Sequence, residues 1–373
     1  MNRQFVPFEL ERLMSIWENQ VEYNLSESGV HPLTVRQLVQ DPALIEDLLT
    51  TGLDYPQTNG LIELREQVAR LYPGATPENV LITTGCSQAS FGAVLTIMED
   101  GDELAFMLPN YMQIWGIAQN FGYPTRTFSL KEELGWGLDL EELDCAVSDK
   151  TRLISVVNPN NPTGHILTAK EMDAVVAAAE RTGAWLLSDE VYAGAERVTD
   201  KVTPSFWGRY ERVLAMGSLS KAYGLPGLRI GWVVAPSDVI ERIWAWQDYV
   251  TIGTTMLSNK LAAYALSADV RPRILKRTRE YVRKGYYNLE RWCEEQSDEF
   301  TLSPPQAAAI AFVRYHRQIN STELVMRLIK AGAFVLPGDL FGLDHFVRIS
   351  FGLPADYLNA GLDRLSRVIH AAD

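Results

Sequence analysis

From about residue 60 to about residue 240, short apolar runs alternate with longer stretches in which apolar side chains return every three or four positions. Six of the short runs, at 80–84, 103–108, 152–157, 184–188, 213–217 and 228–234, are β-branched or aliphatic and bounded by Gly, Pro, Asn or Asp, which predicts strands. The alanine-rich stretch 169–181, charged at its ends, predicts one of the helices between them. Strand, helix and strand in repeated order imply an α/β fold: a three-layer αβα large domain, expected over 41–268, with a mostly parallel sheet under helices. After about residue 265 the texture changes. A long, charged, helix-prone stretch at 269–296 predicts a solvent-facing helix leading away from the sheet. Strand patterns at 308–315 and 345–351 and helices near 322–331 and 355–371 follow. The expectation is a smaller α+β domain over 269–373, with the N-terminal segment 1–40 packed as part of it.

Composition narrows the function. The chain has 373 residues, enough for two ordinary domains, and 47% hydrophobic residues against 22% charged, enough for a substantial core. Its formal charge is −13, which repels extended polyanions, so neither nucleic acid nor an anionic membrane is an expected partner. Any phosphate it binds requires a local cluster of donors. Three widely spaced cysteines, Cys86, Cys145 and Cys293, suit neither a disulfide framework nor a zinc site. His165, His316, His345 and His370 lack metal-ligand spacing, so no metal is expected. With no apolar leader and no run of the roughly 20 apolar residues that span a bilayer, a cytoplasmic protein is the expectation.

Polar chemistry gathers at the carboxyl ends of the expected strands, where open parallel sheets bind ligands. One strand runs into Thr84-Gly85-Cys86-Ser87-Gln88-Ala89, and the next ends at Pro109-Asn110-Tyr111. Others end at Asn158-Pro159-Asn160-Asn161-Pro162-Thr163-Gly164, at Asp189-Glu190-Val191-Tyr192 and at Ser218-Leu219-Ser220-Lys221. The Gly85–Ala89 turn opens a helix, so its free N–H groups make an anion site to which Ser87 adds a hydroxyl. The same five residues depart from the G-x-S-x-G nucleophile elbow only at the last position, which leaves a serine hydrolase open on local sequence. Lys221, flanked by serines and a glycine-rich turn, becomes a nucleophile if burial or neighbouring cations lower its pKa below the ordinary value of about 10.4. Arg229, in an apolar segment, suits a bidentate phosphate clamp. Arg348 is a lone cation in the alternating strand 346–351 and shares a face with Phe346 and Ser350.

Together these residues resemble the fold-type I pyridoxal-phosphate enzymes of the class I/II aminotransferase family, over about residues 53–352. The resemblance implies pyridoxal 5'-phosphate as cofactor and amino-group transfer between an amino acid and a 2-oxo acid. Lys221 matches the lysine that forms the internal aldimine and moves the substrate Cα proton, and Asp189 the aspartate that pairs with the pyridinium nitrogen. Asn161 and Tyr192 match the residues that hydrogen-bond the 3-oxygen, and Tyr111 the aromatic that stacks on the ring. Gly85, Cys86, Ser87, Ser218 and Arg229 would form the phosphate cup, and Arg348 would grip the substrate carboxylate. Tyr55 matches a tyrosine that reaches the phosphate of the neighbouring subunit, implying a homodimer with shared active sites. The N-terminal pattern around Trp17-Glu18 and Asn24–Thr34 resembles capreomycidine synthase-like members instead of housekeeping aminotransferases. In that branch Glu18, Glu27 and His31 would recognise a basic side chain or move protons. The outcome could then be cyclisation, oxidation or elimination of an amino acid such as an arginine derivative.

Overall fold

The computed structural model describes residues 5–371; the outermost residues of the expected segments 1–40 and 269–373, namely 1–4 and 372–373, lie outside the described residues. In chain order the strands are β1 (Tyr23–Asn24), β2 (Val80–Thr84), β3 (Glu103–Leu108), β4 (Thr125–Lys131), β5 (Gly137–Leu138), β6 (Thr151–Val157) and β7 (Trp185–Asp189). They continue with β8 (Val213–Ser218), β9 (Ile230–Val234), β10 (Phe300–Leu302), β11 (Ile310–Tyr315), β12 (Ala333–Phe334), β13 (Leu336–Pro337) and β14 (Phe346–Ser350). Eight of them form the large sheet in the order β2-β9-β8-β7-β6-β3-β4-β5. The run from β8 to β4 is parallel, whereas β9 lies antiparallel to both β2 and β8, and β5 to β4. Strands β8 and β9 are buried at every position, which explains their continuous apolar sequences.

Each face of the sheet carries its own core. On one, Leu81, Phe106, Leu153, Leu187 and Val233 pack against Ala89, Ala93 and Val94 of helix Cys86–Ile97 and Ile240 and Ile243 of helix Ser237–Gln247. On the other, Ile82, Ala105, Ile154, Leu186 and Ala215 meet Met172 and Val175 of helix Ala169–Thr182. That helix starts where Thr168 and Glu171 cap each other's N–H groups and stops at left-handed Gly183 (φ 69°). Three layers result, as the alternating pattern predicts.

The smaller domain is an antiparallel sheet, β10-β11-β14-β13. The helix expected to lead away into solvent does not. Helix Arg271–Glu295 buries Ile274, Leu275, Val282, Tyr286, Leu289 and Trp292 along one face, because its apolar residues recur at helical spacing beneath the charged ones. Its arginines also brace other segments: Arg273 donates to the carbonyls of Gln37 and Leu38, and Arg279 pairs with fully buried Glu196 at 2.8 Å. The N-terminal segment is divided between the two domains. β1 adds in parallel to β12, while Val6 and Asn120 exchange two hydrogen bonds of 2.9 Å with the large domain. No helix among the described residues is long and apolar enough to cross a membrane.

Gly285 lets helix Arg271–Glu295 lie directly on the chain leaving β14: a Cβ there would stand 1.7 Å from the Phe351 carbonyl oxygen. Gly285→Ala should therefore force the helix off the small sheet and cost about 2 kcal/mol or more, read as a lowered denaturation midpoint.

Candidate active site

The carboxyl ends of β6, β7 and β8, the turns that follow β2, β3 and β8, and Arg348 of β14 supply one cavity of about 440 Å³. Its lining includes Ser87, Tyr111, Asn161, Asp189, Tyr192, Ser218, Lys221, Arg229 and Arg348, so most of the expected residues meet although up to 261 positions separate them in sequence (Ser87 to Arg348, 348 − 87 = 261). Phe8, Glu11, Met14, Glu18, Glu27 and Ser28 close it from the N-terminal side.

One end is built to receive an anion. Gly85 (φ 77°) turns β2 into helix Cys86–Ile97, whose first N–H groups have no side-chain cap. Arg229, also left-handed (φ 51°), leans across this turn, and a Cβ on Gly85 would stand 2.3 Å from its Nη2. The guanidinium is steadied by the Ser220 hydroxyl at 3.4 Å and the Pro226 carbonyl at 3.2 Å. Gln88 fastens the turn from behind, accepting from Thr84 N at 2.7 Å and donating to Thr251 at 2.8 Å. Ser87, Ser218 and Ser220 add hydroxyls around the same space. Burial drives the Cys86 thiol pKa far up, so it stays a neutral wall.

Away from that cup lies Asp189. Burial pushes its carboxyl up to about 6, against the Val191 N–H bond at 3.1 Å and the charge of Lys221. Burial leaves this anion short of partners, and a cation brought beside it, as a protonated pyridine nitrogen would be, stabilises it. A phosphate cup, a lysine and an acid of this kind fit pyridoxal phosphate.

Lys221 departs from the expected lowering. Burial pushes its ammonium down, but Glu27 at 2.7 Å, aided by Tyr192, outweighs this and the net direction is up. Glu27 in turn is drawn down to about 2, first by Lys221 and also by the N–H of Ser28 at 2.9 Å. Arg348 is 1% exposed; its Nη1 donates to Asn161 Oδ1 at 3.0 Å and its Nη2 to the Ser26 carbonyl. Its Nε is buried with no partner in the protein. Tyr192 donates to Ser28 at 3.0 Å, and Tyr111 to Glu11 at 2.5 Å with Phe8 edge-on at 5.0 Å.

Two expected residues fall outside. His31 is exposed and stacks on Tyr281, 6.1 Å between centroids, while Arg277 holds its carbonyl on the outer side of the molecule. Tyr55 is 83% exposed and lines no part of the cavity. Conversely, Glu11, Phe8, Ser28 and Ser220 belong to the cavity without having been anticipated. Ser220 alone carried a signal, as the second serine of Ser218-Leu219-Ser220-Lys221. None of the lining residues is a histidine, which leaves Ser87 without the usual base of a hydrolase.

The model of the family "Aminotransferase class I and II" matches residues 23–365. The chain belongs to the class I and II aminotransferase family. It is therefore a fold-type I, pyridoxal-phosphate-dependent protein. Capreomycidine synthase of Streptomyces vinaceus is 32% identical to it over 93% of this chain and 90% of that one. Among solved structures, a PLP-dependent aminotransferase from Streptococcus suis superposes with a TM-score of 0.92 at 29% identity, covering 99% of both chains. The PLP-dependent cyclase OrfR superposes with a TM-score of 0.88 at 25% identity, covering 100% and 99%.

Two outcomes test this geometry. Gly85→Ala, facing both a left-handed backbone and the Arg229 guanidinium, should weaken cofactor binding at least about tenfold in a pyridoxal-phosphate titration. In the cofactor-free protein, Asp189 keeps its proton to higher pH folded than unfolded. Its contribution to stability is thus greatest below about pH 4 and declines until about pH 6. Asp189→Asn should flatten the wild-type fall in unfolding free energy across that window.

Proposed function

We propose that this enzyme transfers the amino group of an amino acid with a cationic side chain to a 2-oxo acid, with Lys221 as the cofactor-binding and proton-moving residue. The observation that carries this is the charge layout of the cavity: Arg348 lies near Asn161 and Lys221, while three carboxylates, Glu11, Glu18 and Glu27, line the N-terminal side. An amino acid entering such a cavity presents its carboxylate to Arg348 and its side chain to the acids. Burial, then Glu27 and Glu11, push the Glu18 carboxyl up, an unfavourable crowding that a substrate cation relieves.

Bound pyridoxal phosphate supplies an electron sink that stabilises negative charge at the substrate Cα. This chain's residues do the rest. The Gly85 turn, Ser87, Ser218 and Arg229 would hold the phosphate, and Asp189 would keep the ring nitrogen protonated. Asn161 and Tyr192 would hold the 3-oxygen, and Tyr111 would cover the ring. Lys221 Nζ would hold and move the proton taken from the substrate Cα. Arg348, through its unpartnered Nε and its two amino groups, binds and orients the carboxylate. A homodimer with shared active sites suits the exposed Tyr55, since only a second subunit could bring such a residue to a cavity it does not line. Leu49, Leu53, Tyr249 and Val250 are exposed as well, on segments joined by bonds from Trp244 and Gln247 to Thr58.

A second outcome, cyclisation or elimination with the same cofactor, is favoured by one contact. Glu27 touches the Nζ proposed to handle the Cα proton, and once that nitrogen is engaged and its charge gone, the pull that holds the carboxyl at about 2 is lifted and Glu27 becomes a second group able to take a proton. Similarity to capreomycidine synthase points the same way.

Lys221→Ala should abolish the yellow absorbance of the bound cofactor. In single turnovers with arginine, lysine or ornithine, a 2-oxo acid and pyridoxamine phosphate are expected; a cyclic product or free ammonia would replace transamination by the second outcome. Glu18→Gln should raise KM for the basic substrate about tenfold and leave kcat within about twofold.

A further inference from the structure

A second chamber, of about 350 Å³, shares Ser218 and Val191 with the cofactor cavity. Asp189 lines the first and Glu190, the next residue, the second. Glu190 is 7% exposed, and its Oε1 accepts from Ser205 Oγ at 2.8 Å and Phe206 N at 3.1 Å. Its own N–H is fixed to the Met216 carbonyl on β8 at 2.9 Å, so the pair of acids is anchored where β7 meets β8. Around the chamber stand the titratable or charged Tyr72, Tyr223 and Arg271. Tyr72 accepts from Trp232 Nε1 at 3.0 Å, and Arg271 Nε donates to Tyr223 at 3.0 Å. None of these gives Glu190 an ion-pair partner within 4 Å.

Nothing in the chemistry at Cα uses this acid. A carboxyl that only tied down the loop at 203–207 would serve equally well as an amide. What an amide cannot do is change charge beside Asp189.

We propose that Glu190 is a positioning residue acting through Asp189: its carboxyl exchanges a proton with the water of the second chamber and so sets the potential under which Asp189 holds the ring-nitrogen proton of the cofactor. Burial pushes the Glu190 carboxyl up to about 7, with the bonds from Ser205 and Phe206 opposing and the Asp189 charge adding to the rise. It is therefore neutral in mild acid and anionic in mild base. The added negative charge favours protons on the ring and on the Lys221 nitrogen, so it raises the pH at which the bound cofactor changes colour. The inference rests on Asp189 meeting the ring nitrogen, as proposed above.

The test uses holoenzyme titrated from about pH 5.5 to about pH 9 with the cofactor's visible absorbance as readout. In Glu190→Gln the midpoint should fall by about half a pH unit or more. Ser205→Ala, which removes a donor that favours the anion, should lower it in the same direction by less. Midpoints that coincide with wild type in both variants overturn the proposal. In cofactor-free protein, the infrared carbonyl band of a buried protonated carboxyl should fade as pH rises through about 7 and be missing from Glu190→Gln. A band unchanged by that substitution also overturns it. Asp189→Asn separates the two levels: if its colour titration matches wild type while the infrared band behaves as expected, the Asp189 assignment fails and the titration of Glu190 stands.

Discussion

The site depends on opposite charges being buried where none of them can stand alone. Arg348 is nearly sealed from solvent, and burial lowers its pKa; the neighbouring Tyr192 and Glu27 push it back up. Lys221 is held by Glu27, and Asp189 is held by almost nothing but one N–H and the distant Lys221. Removing any one leaves another uncompensated in a medium where isolated charge is expensive. A zwitterionic substrate and an anionic cofactor with a basic ring supply matching charges, so binding completes a set that the fold leaves partly open. The overall charge of −13 says little about this, because a single phosphate held as proposed would meet the Gly85 turn and Arg229 at contact range, whereas the acidic surface acts through screened solvent.

The parallel strands were legible because a strand buried on both faces must be apolar throughout. The segment 228–234 misled by two residues for a reason the sequence contains. Pro226-Gly227-Leu228 forms a 3-10 turn and Arg229 is left-handed, so β9 begins at Ile230 and Arg229 is released to cross the Gly85 turn. The direction of β9 was not legible, since the same apolar run serves a parallel or an antiparallel neighbour. Strand β4 was missed because only Phe128 and Leu130 of Thr125–Lys131 are buried, too few to stand out from a loop.

At the site, the residues at strand ends were legible and those of the N-terminal segment much less so. Glu11 sits in an amphipathic helix where an acid reads as a solvated face; only its bond to Tyr111, 100 residues away, brings it inward. His31 read as a site residue through the resemblance of the N-terminal pattern Asn24–Thr34 to capreomycidine synthase-like enzymes. Yet the chain turns after Gly29, and the next side chain able to choose a partner faces Tyr281 and Arg277 on the long helix. Lys221 was legible in position and wrong in direction of shift, because its partner Glu27 lies 194 residues earlier.

That partner also bears on what the enzyme makes. In a cavity with Lys221 alone, a proton taken from Cα has one carrier and returns along one path, which is the requirement for clean amino-group transfer. Glu27, pinned by the N–H groups of Ser28 and Gly29 and resting on the same Nζ, would become a second site for a proton once the Lys221 charge that draws it down to about 2 is removed. Whether it serves as proton acceptor or as anchor for a substrate cation depends on which cation is nearer when the lysine nitrogen is engaged. On the proposed reading, a long basic side chain that reached Glu27 would occupy it and leave Lys221 as sole carrier. A shorter or bent one would leave Glu27 to take a proton once the lysine nitrogen is engaged, and loss of a group or ring closure would then compete with transfer. The length of the substrate side chain would thus weigh on the outcome of the proposed reaction as much as the identity of the residues around Lys221 does.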